Sequence, residues 1–107
     1  MEQNKLFLVK EIKRLSNLLD VKYNNELNFR NHCYLRIAFD ATIGDKWDLK
    51  VKKPFVKNAT EEQLTTVLQL LNKYIIDKNS LLFDNEKSLL FRENQKIIEN
   101  KLNPELF

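Results

Sequence analysis

The chain reads as a single all-α domain: a bundle of about four helices with one ordered Lys/Trp/Pro loop between the second and third. Three observations carry this reading. One glycine and two prolines in 107 residues leave few of the turn formers that a β-rich fold requires. Apolar residues recur at helical spacing over long stretches. A content of 43% hydrophobic and 31% charged residues suits one globular domain over residues 1–107 with its own core.

The first helix is expected over about residues 3 to 22. Leu6, Val9, Ile12, Leu15 and Leu19 form its apolar stripe, Leu8 and Leu18 widen it, and Asn24 and Asn25 end it. The second helix begins near Asn31, whose side chain is the expected cap, and ends at Gly44, the residue best able to take positive φ. Cys33, Tyr34, Leu35, Ile37, Ala38, Phe39, Ala41 and Ile43 cover most of its circumference, which places it at the centre of the fold. The third helix opens on the capping box Thr60-Glu61-Glu62-Gln63, followed by Leu64, Val67, Leu68, Leu71, Tyr74 and Ile75 on one face. Asp77 to Ser80 read as a short link. The fourth helix runs over about 80 to 102, with Leu82, Phe83, Leu89, Leu90, Ile97 and Ile98 as its apolar surface and Pro104 beyond its end.

Between the second and third helices, residues 45 to 59 are irregular. Trp47, Leu49 and Val51 alternate with Asp48, Lys50 and Lys52, a period of two that fits a short strand, although a lone strand would lack a partner. The segment also fits an extended loop or a poorly formed helical turn; an ordered loop is expected, with Lys53 held extended by Pro54. The only His, Cys, Gly and Trp of the chain all lie between residues 31 and 54.

Composition excludes several function classes. One cysteine can form no internal disulfide and no Cys-rich zinc site, so a reduced, cytoplasmic setting is expected. The opening MEQNKLFLVKEIKR is not a signal peptide, and no run approaches the roughly 20 apolar residues of a membrane span. One glycine cannot build a phosphate-binding loop, and there is no pair of histidines for a metal. Asp45 and Asp48 are poor cation ligands among so many lysines. Neither a cofactor nor a catalytic residue is indicated. Fourteen Lys against four Arg, with abundant Asn and Ile, is the usage of an AT-rich genome, such as a low-GC bacterium or its phages and plasmids.

The net charge of +3 is unevenly spread. Residues 46 to 57 hold five lysines against one aspartate, whereas residues 58 to 107 carry six basic and eight acidic residues. Such a patch attracts phosphate or acidic surfaces, or is simply a solvated loop.

Two polar stripes interrupt apolar helices. His32, Arg36 and Asp40 stand at i, i+4 and i+8 on the second helix, with Arg36 and Asp40 spaced for an ion pair. Asn85, Ser88 and Arg92 stand at i, i+3 and i+7 on the fourth. Meeting between helices, they would form either a packing network or a grip on an anion such as a phosphate. Cys33 beside His32 is no nucleophile–base pair, since neighbours on a helix point about 100° apart. Trp47 is expected to anchor the loop or to stack on a base or a partner.

The pattern Asn31-x-Cys33-x-x-Arg36-Ile37-x-x-Asp40, Lys46-Trp47, Pro54, Glu62-Gln63-Leu64 and Asn85-x-x-Ser88-Leu89-x-x-Arg92 resembles a family of small, largely uncharacterised bacterial and mobile-element proteins. Some of them bear an acetyltransferase label. The resemblance spans about residues 30 to 93 and implies that Arg36, Asp40, Trp47, Asn85, Ser88 and Arg92 act as a set. An acetyl-CoA-dependent transferase of the usual type is a longer α/β fold with a glycine-bearing pyrophosphate loop, which this chain lacks.

The leading functional expectation is a non-enzymatic helical binding protein, such as a phage or mobile-element inhibitor docking on a host protein or ribonucleoprotein complex. Nucleic-acid binding through residues 46 to 57, and capture of a small anionic ligand such as a nucleotide between the second and fourth helices, are the alternatives. The candidate binding residues are Arg36, Asp40, Lys46, Trp47, Lys50, Lys52, Lys53, Asn85, Ser88 and Arg92. No membrane partner is indicated, and the oligomeric state is left open.

Overall fold

A computed structural model describes residues 2–102. These residues are all-α, with no strand among them. Four long helices carry the fold: α1 (Glu2–Lys22), α2 (Asn31–Ile43), α4 (Glu61–Ile76) and α5 (Lys78–Leu102). A short α3 (Phe55–Asn58) and a 3₁₀ turn (Trp47–Leu49) lie between α2 and α4. No helix of the described residues is long and apolar enough to cross a membrane.

The apolar periodicities set the packing. Ile12, Leu15 and Leu19 of α1 meet Leu64, Val67, Leu71 and Tyr74 of α4 in one core. α2 contributes Tyr34, Ile37, Ala38 and Phe39 and packs against α1, α4 and α5 alike, as its broad apolar surface requires. Tyr23, just after α1, donates its hydroxyl to the Tyr74 carbonyl (2.8 Å) and ties the α1–α2 connection to α4. The shape is flat, 45 × 37 × 17 Å, and its radius of gyration of 14.9 Å exceeds the ~13 Å expected of a rounded chain of this length.

Local caps set the start of α4 and the end of α2. The capping box is formed: Thr60 Oγ1 accepts from the Gln63 N–H, and Gln63 Oε1 accepts from the Thr60 N–H. Gly44 ends α2 with φ +79° and donates its N–H to the Asp40 carbonyl (2.7 Å).

The structure corrects four expectations and refines the loop. Asn31 is already inside α2 and bridges to Asn17 of α1, while Arg30 holds the cap position without a side-chain bond. The link from Asp77 to Ser80 shrinks to Asp77, because its carboxylate caps α5 by accepting from the Asn79 and Ser80 N–H groups and the Ser80 hydroxyl. Within the expected ordered loop, Trp47–Leu49 form a 3₁₀ turn, and Val51 lies beyond it. Leu6 and Leu18 of the α1 stripe are exposed. On α5, Leu81 and Ser88 face the core, while Phe83, Leu89, Leu90, Ile97 and Ile98 are exposed. Pro104 lies outside the described residues.

Two predictions follow from these features. A Cβ at Gly44 meets no atom within 4 Å, so the cost of Gly44→Ala is confined to its left-handed backbone. Urea unfolding should show a loss of about 1 kcal/mol. The second concerns alkaline pH. Burial raises the Tyr34 hydroxyl to about 12, helped by the charge of Asp20. Burial likewise raises Tyr23 and Tyr74, the latter helped by its bond to Asp84. Below the ordinary tyrosine value of about 10, these groups are neutral in folded and unfolded chain alike. Above it, the unfolded chain releases protons that the folded chain retains, so stability should fall from about pH 10 towards 12. Tyr34→Phe should flatten that fall, as read from urea midpoints across the range.

Candidate functional site

The two polar stripes meet. α2 presents Arg36 and Asp40, α5 presents Asn85, Ser88 and Arg92, and helical periodicity brings each set to one face. Asp40 and Ser88 are fully buried, and Arg36 and Arg92 lie partly exposed beside them.

Asp40 is the hub. Its Oδ2 accepts from Ser88 Oγ (2.5 Å) and Arg92 Nε (3.1 Å). Its Oδ1 accepts from Arg92 Nη2 (3.2 Å) and from the backbone N–H of Trp47 (3.0 Å). An ionised carboxylate has about four acceptor sites, so this one is filled by donors from α5 and from the loop after α2. Arg92 binds it through two parallel bonds, the geometry in which a guanidinium pairs most strongly.

Arg36 does not reach Asp40 directly, which corrects the expected i, i+4 ion pair. Its Nη1 donates to Ser88 Oγ (2.6 Å), and its Nη2 donates to Asn85 Oδ1 (2.9 Å). Ser88 thus accepts from Arg36 and donates to Asp40, a relay in which each bond polarises the next. Burial, followed by the repulsion of Arg92, lowers the Arg36 guanidinium below its ordinary value. His32, the remaining member of the α2 stripe, is exposed one turn away and takes no part. Cys33 is a free, partly buried thiol.

The loop is built on aromatic packing. Trp47 meets Phe39 edge-on (centroids 5.7 Å apart, planes at 81°) and meets Phe55 likewise (5.4 Å, 89°). Phe39 and Phe55 stack at 4.0 Å. The Trp47 ring therefore serves as the loop's anchor. Val51, Phe55 and Ala59 are buried behind it, and the Asn58 side chain donates to the carbonyls of Lys52 and Pro54. On this support Lys50, Lys52, Lys53 and Lys57 are exposed. Asp48 sits among them at 3.7 Å from Lys46 Nζ and 3.6 Å from Lys53 Nζ, which offsets part of the positive charge.

A groove of about 430 Å³ lies beside Arg92, lined by Lys46, Leu89, Arg92, Glu93, Gln95, Lys96 and Glu99. Its three cations face two carboxylates, so it offers an anion little net attraction. Among the described residues, no group of three or more His, Cys, Asp or Glu side chains comes together to hold a metal ion.

Comparison with known proteins returned nothing: no family model, curated protein or solved structure matches the chain.

The network yields a stability prediction. Asp40→Ala removes the carboxylate that Arg92 and Ser88 bond and frees the Trp47 N–H. Breaking a buried pair in this way costs about 3–5 kcal/mol. Arg36→Ala, which leaves the Asp40–Arg92 bonds intact, should cost less. Urea unfolding of the two variants should give that order, and equal losses would mean that Arg36 and Asp40 act as a direct pair.

Proposed function

We propose that the chain is a non-enzymatic binding protein: a four-helix bundle whose lysine loop docks on an acidic surface of a larger complex. The observation that carries this reading is the display of Lys50, Lys52 and Lys53, all exposed on a backbone held by Trp47, Phe39, Phe55 and the Asn58 hydrogen bonds. Charge held on a rigid support binds with less loss of conformational entropy than charge on a flexible loop. A host protein or ribonucleoprotein, met in the cytoplasm, is the partner of the expected kind.

The second constellation supports a structural task in the same protein. A general base needs an acceptor site open to its substrate. Asp40 has its acceptor sites filled by the protein's own donors. The anion gathered by Arg92 and, through Ser88, by Arg36 is the Asp40 carboxylate, so a nucleotide would have to displace it. The network instead joins α5 and the loop to α2.

The test is affinity capture from host-cell lysate with wild type and with Lys50→Glu/Lys52→Glu/Lys53→Glu, both showing the same helical far-UV circular dichroism. A specific protein should be retained by wild type, survive nuclease treatment, and be lost from the charge-reversed variant. Retention should weaken with salt, since exposed charges are screened within about 10 Å at 0.1 M. Equal retention by both proteins overturns the reading. Loss of all retention on nuclease treatment would move it to direct nucleic-acid binding.

A further inference from the structure

A second set of charges, sharing no side chain with the Asp40 network, lies where α2, α4 and α5 meet. A cavity of about 210 Å³ opens there, smaller and more closed than the groove beside Arg92. Its charged lining is Lys73 of α4 with Asp84 and Lys87 of α5. Among the described residues, no ion pair joins Asp84 to either lysine. A carboxylate and two ammoniums thus line one space without closing on each other. Asp84 is held in place by the fully buried Tyr74, which donates its hydroxyl to Oδ2 (2.6 Å) and leaves Oδ1 for another donor. Lys87 Nζ lies 5.5 Å from the Phe83 ring, an attraction that gives its N–H groups no oxygen acceptor. Ala41 and Gly44 bring the carbonyl end of α2 to the same space. The Asp40 carbonyl there is taken by the Gly44 N–H, and the carbonyls that follow it lack partners within the helix. Leu70 and Phe91 complete the wall with apolar surface.

We propose that this cavity binds a free α-amino acid with an apolar side chain. Each part of the lining has a counterpart in that ligand. Its carboxylate accepts from Lys73 and Lys87, and hydrogen bonds between charged partners are the stronger ones. Its ammonium donates to Asp84 Oδ1 and to the carbonyl end of α2, where the helix dipole favours a cation. Its side chain lies against Leu70 and Phe91. A simple anion would meet the Asp84 carboxylate, and a simple cation would meet two lysines, so the mixed signs favour a zwitterion. Size agrees: pockets for drug-sized molecules start at about 300 Å³, and this one has room for less. The site uses no residue of the lysine loop and stands independently of the docking function proposed above.

The test is an amide NMR titration of the isotope-labelled full chain with L-alanine, L-valine, L-leucine, L-methionine and L-phenylalanine in turn. Gly44 is the only glycine, so its amide reports on the cavity without ambiguity. At least one of these amino acids should shift Gly44 and the amides of Lys73, Asp84 and Lys87 saturably. Two fragments of that amino acid then show whether both charges are read: the acid without the amino group, and the amine without the carboxyl group. Each should bind at least tenfold more weakly. Asp84→Asn keeps an acceptor for Tyr74, and Lys73→Gln/Lys87→Gln removes the two cations. Each variant should weaken binding at least tenfold while its helical circular dichroism is unchanged. Lys10→Gln/Lys101→Gln removes two cations from exposed positions elsewhere and should bind as wild type does. No saturable shift with any of the amino acids overturns the inference. Equal binding by either fragment, or by the Asp84 or Lys73/Lys87 variant, overturns it as well.

Discussion

The buried carboxylate of Asp40 sets the arrangement of everything packed around α2. It lies in the last turn of that helix, where the backbone dipole already disfavours negative charge, and it has no contact with water. A group in that position must be supplied with donors from elsewhere in the fold. Arg92 and Ser88 supply three bonds from α5, and the Trp47 N–H supplies a fourth from the loop. One side chain thereby fixes how α5 is rotated and where the loop begins. Buried ion pairs contribute little net stability compared with apolar packing, so the larger effect of this one is the choice of a single arrangement.

The rotation of α5 has a cost that appears on its other face. Turning Asn85, Ser88 and Arg92 inward means that residues half a turn away point outward. Phe83, Leu90 and Ile97 occupy those positions. A fold driven only by apolar burial would have turned α5 the other way. The polar network overrides that preference, because an unpaired buried charge costs more than an exposed leucine. The exposure of these apolar residues is therefore a consequence of satisfying Asp40.

The sequence made the network legible and concealed the exposure of these residues, for related reasons. Arg36 and Asp40 at i, i+4 interrupt an otherwise apolar helix. Asn85, Ser88 and Arg92 interrupt another, and two such stripes can be satisfied only by each other. Helix boundaries at Thr60 and Gly44 were legible because their caps are local chemistry. The role of Ser88 between Arg36 and Asp40 was not, since spacing along one helix says nothing of what a second helix inserts. The apolar residues of α5 read as core because hydrophobicity is ordinarily spent on burial. Which face of a two-sided helix turns inward is a tertiary decision, taken here by a carboxylate 48 residues away from Ser88. The 3₁₀ turn was hidden behind an alternation that also fits a strand, and only the packing of Trp47 on Phe39 and Phe55 separates the two.

The loop shows how the same hub bears on the proposed function. Trp47 is fixed twice, by its N–H on Asp40 and by its ring between two phenylalanines. Either contact alone would leave the chain free to pivot about it, and together they set both position and orientation. The lysines that follow are attached within a few residues of this double anchor. Asp48 then tempers the repulsion from inside, at 3.6 Å from Lys53 Nζ and 3.7 Å from Nζ of Lys46, the lysine before Trp47. Like charges on a short segment repel and would extend it if nothing held it. A chain that only needed solubility could scatter its lysines at no such expense. Concentrating them on a supported turn has a physical purpose where a surface of opposite charge must be met in one orientation, and the interior of this fold is arranged to hold that turn still.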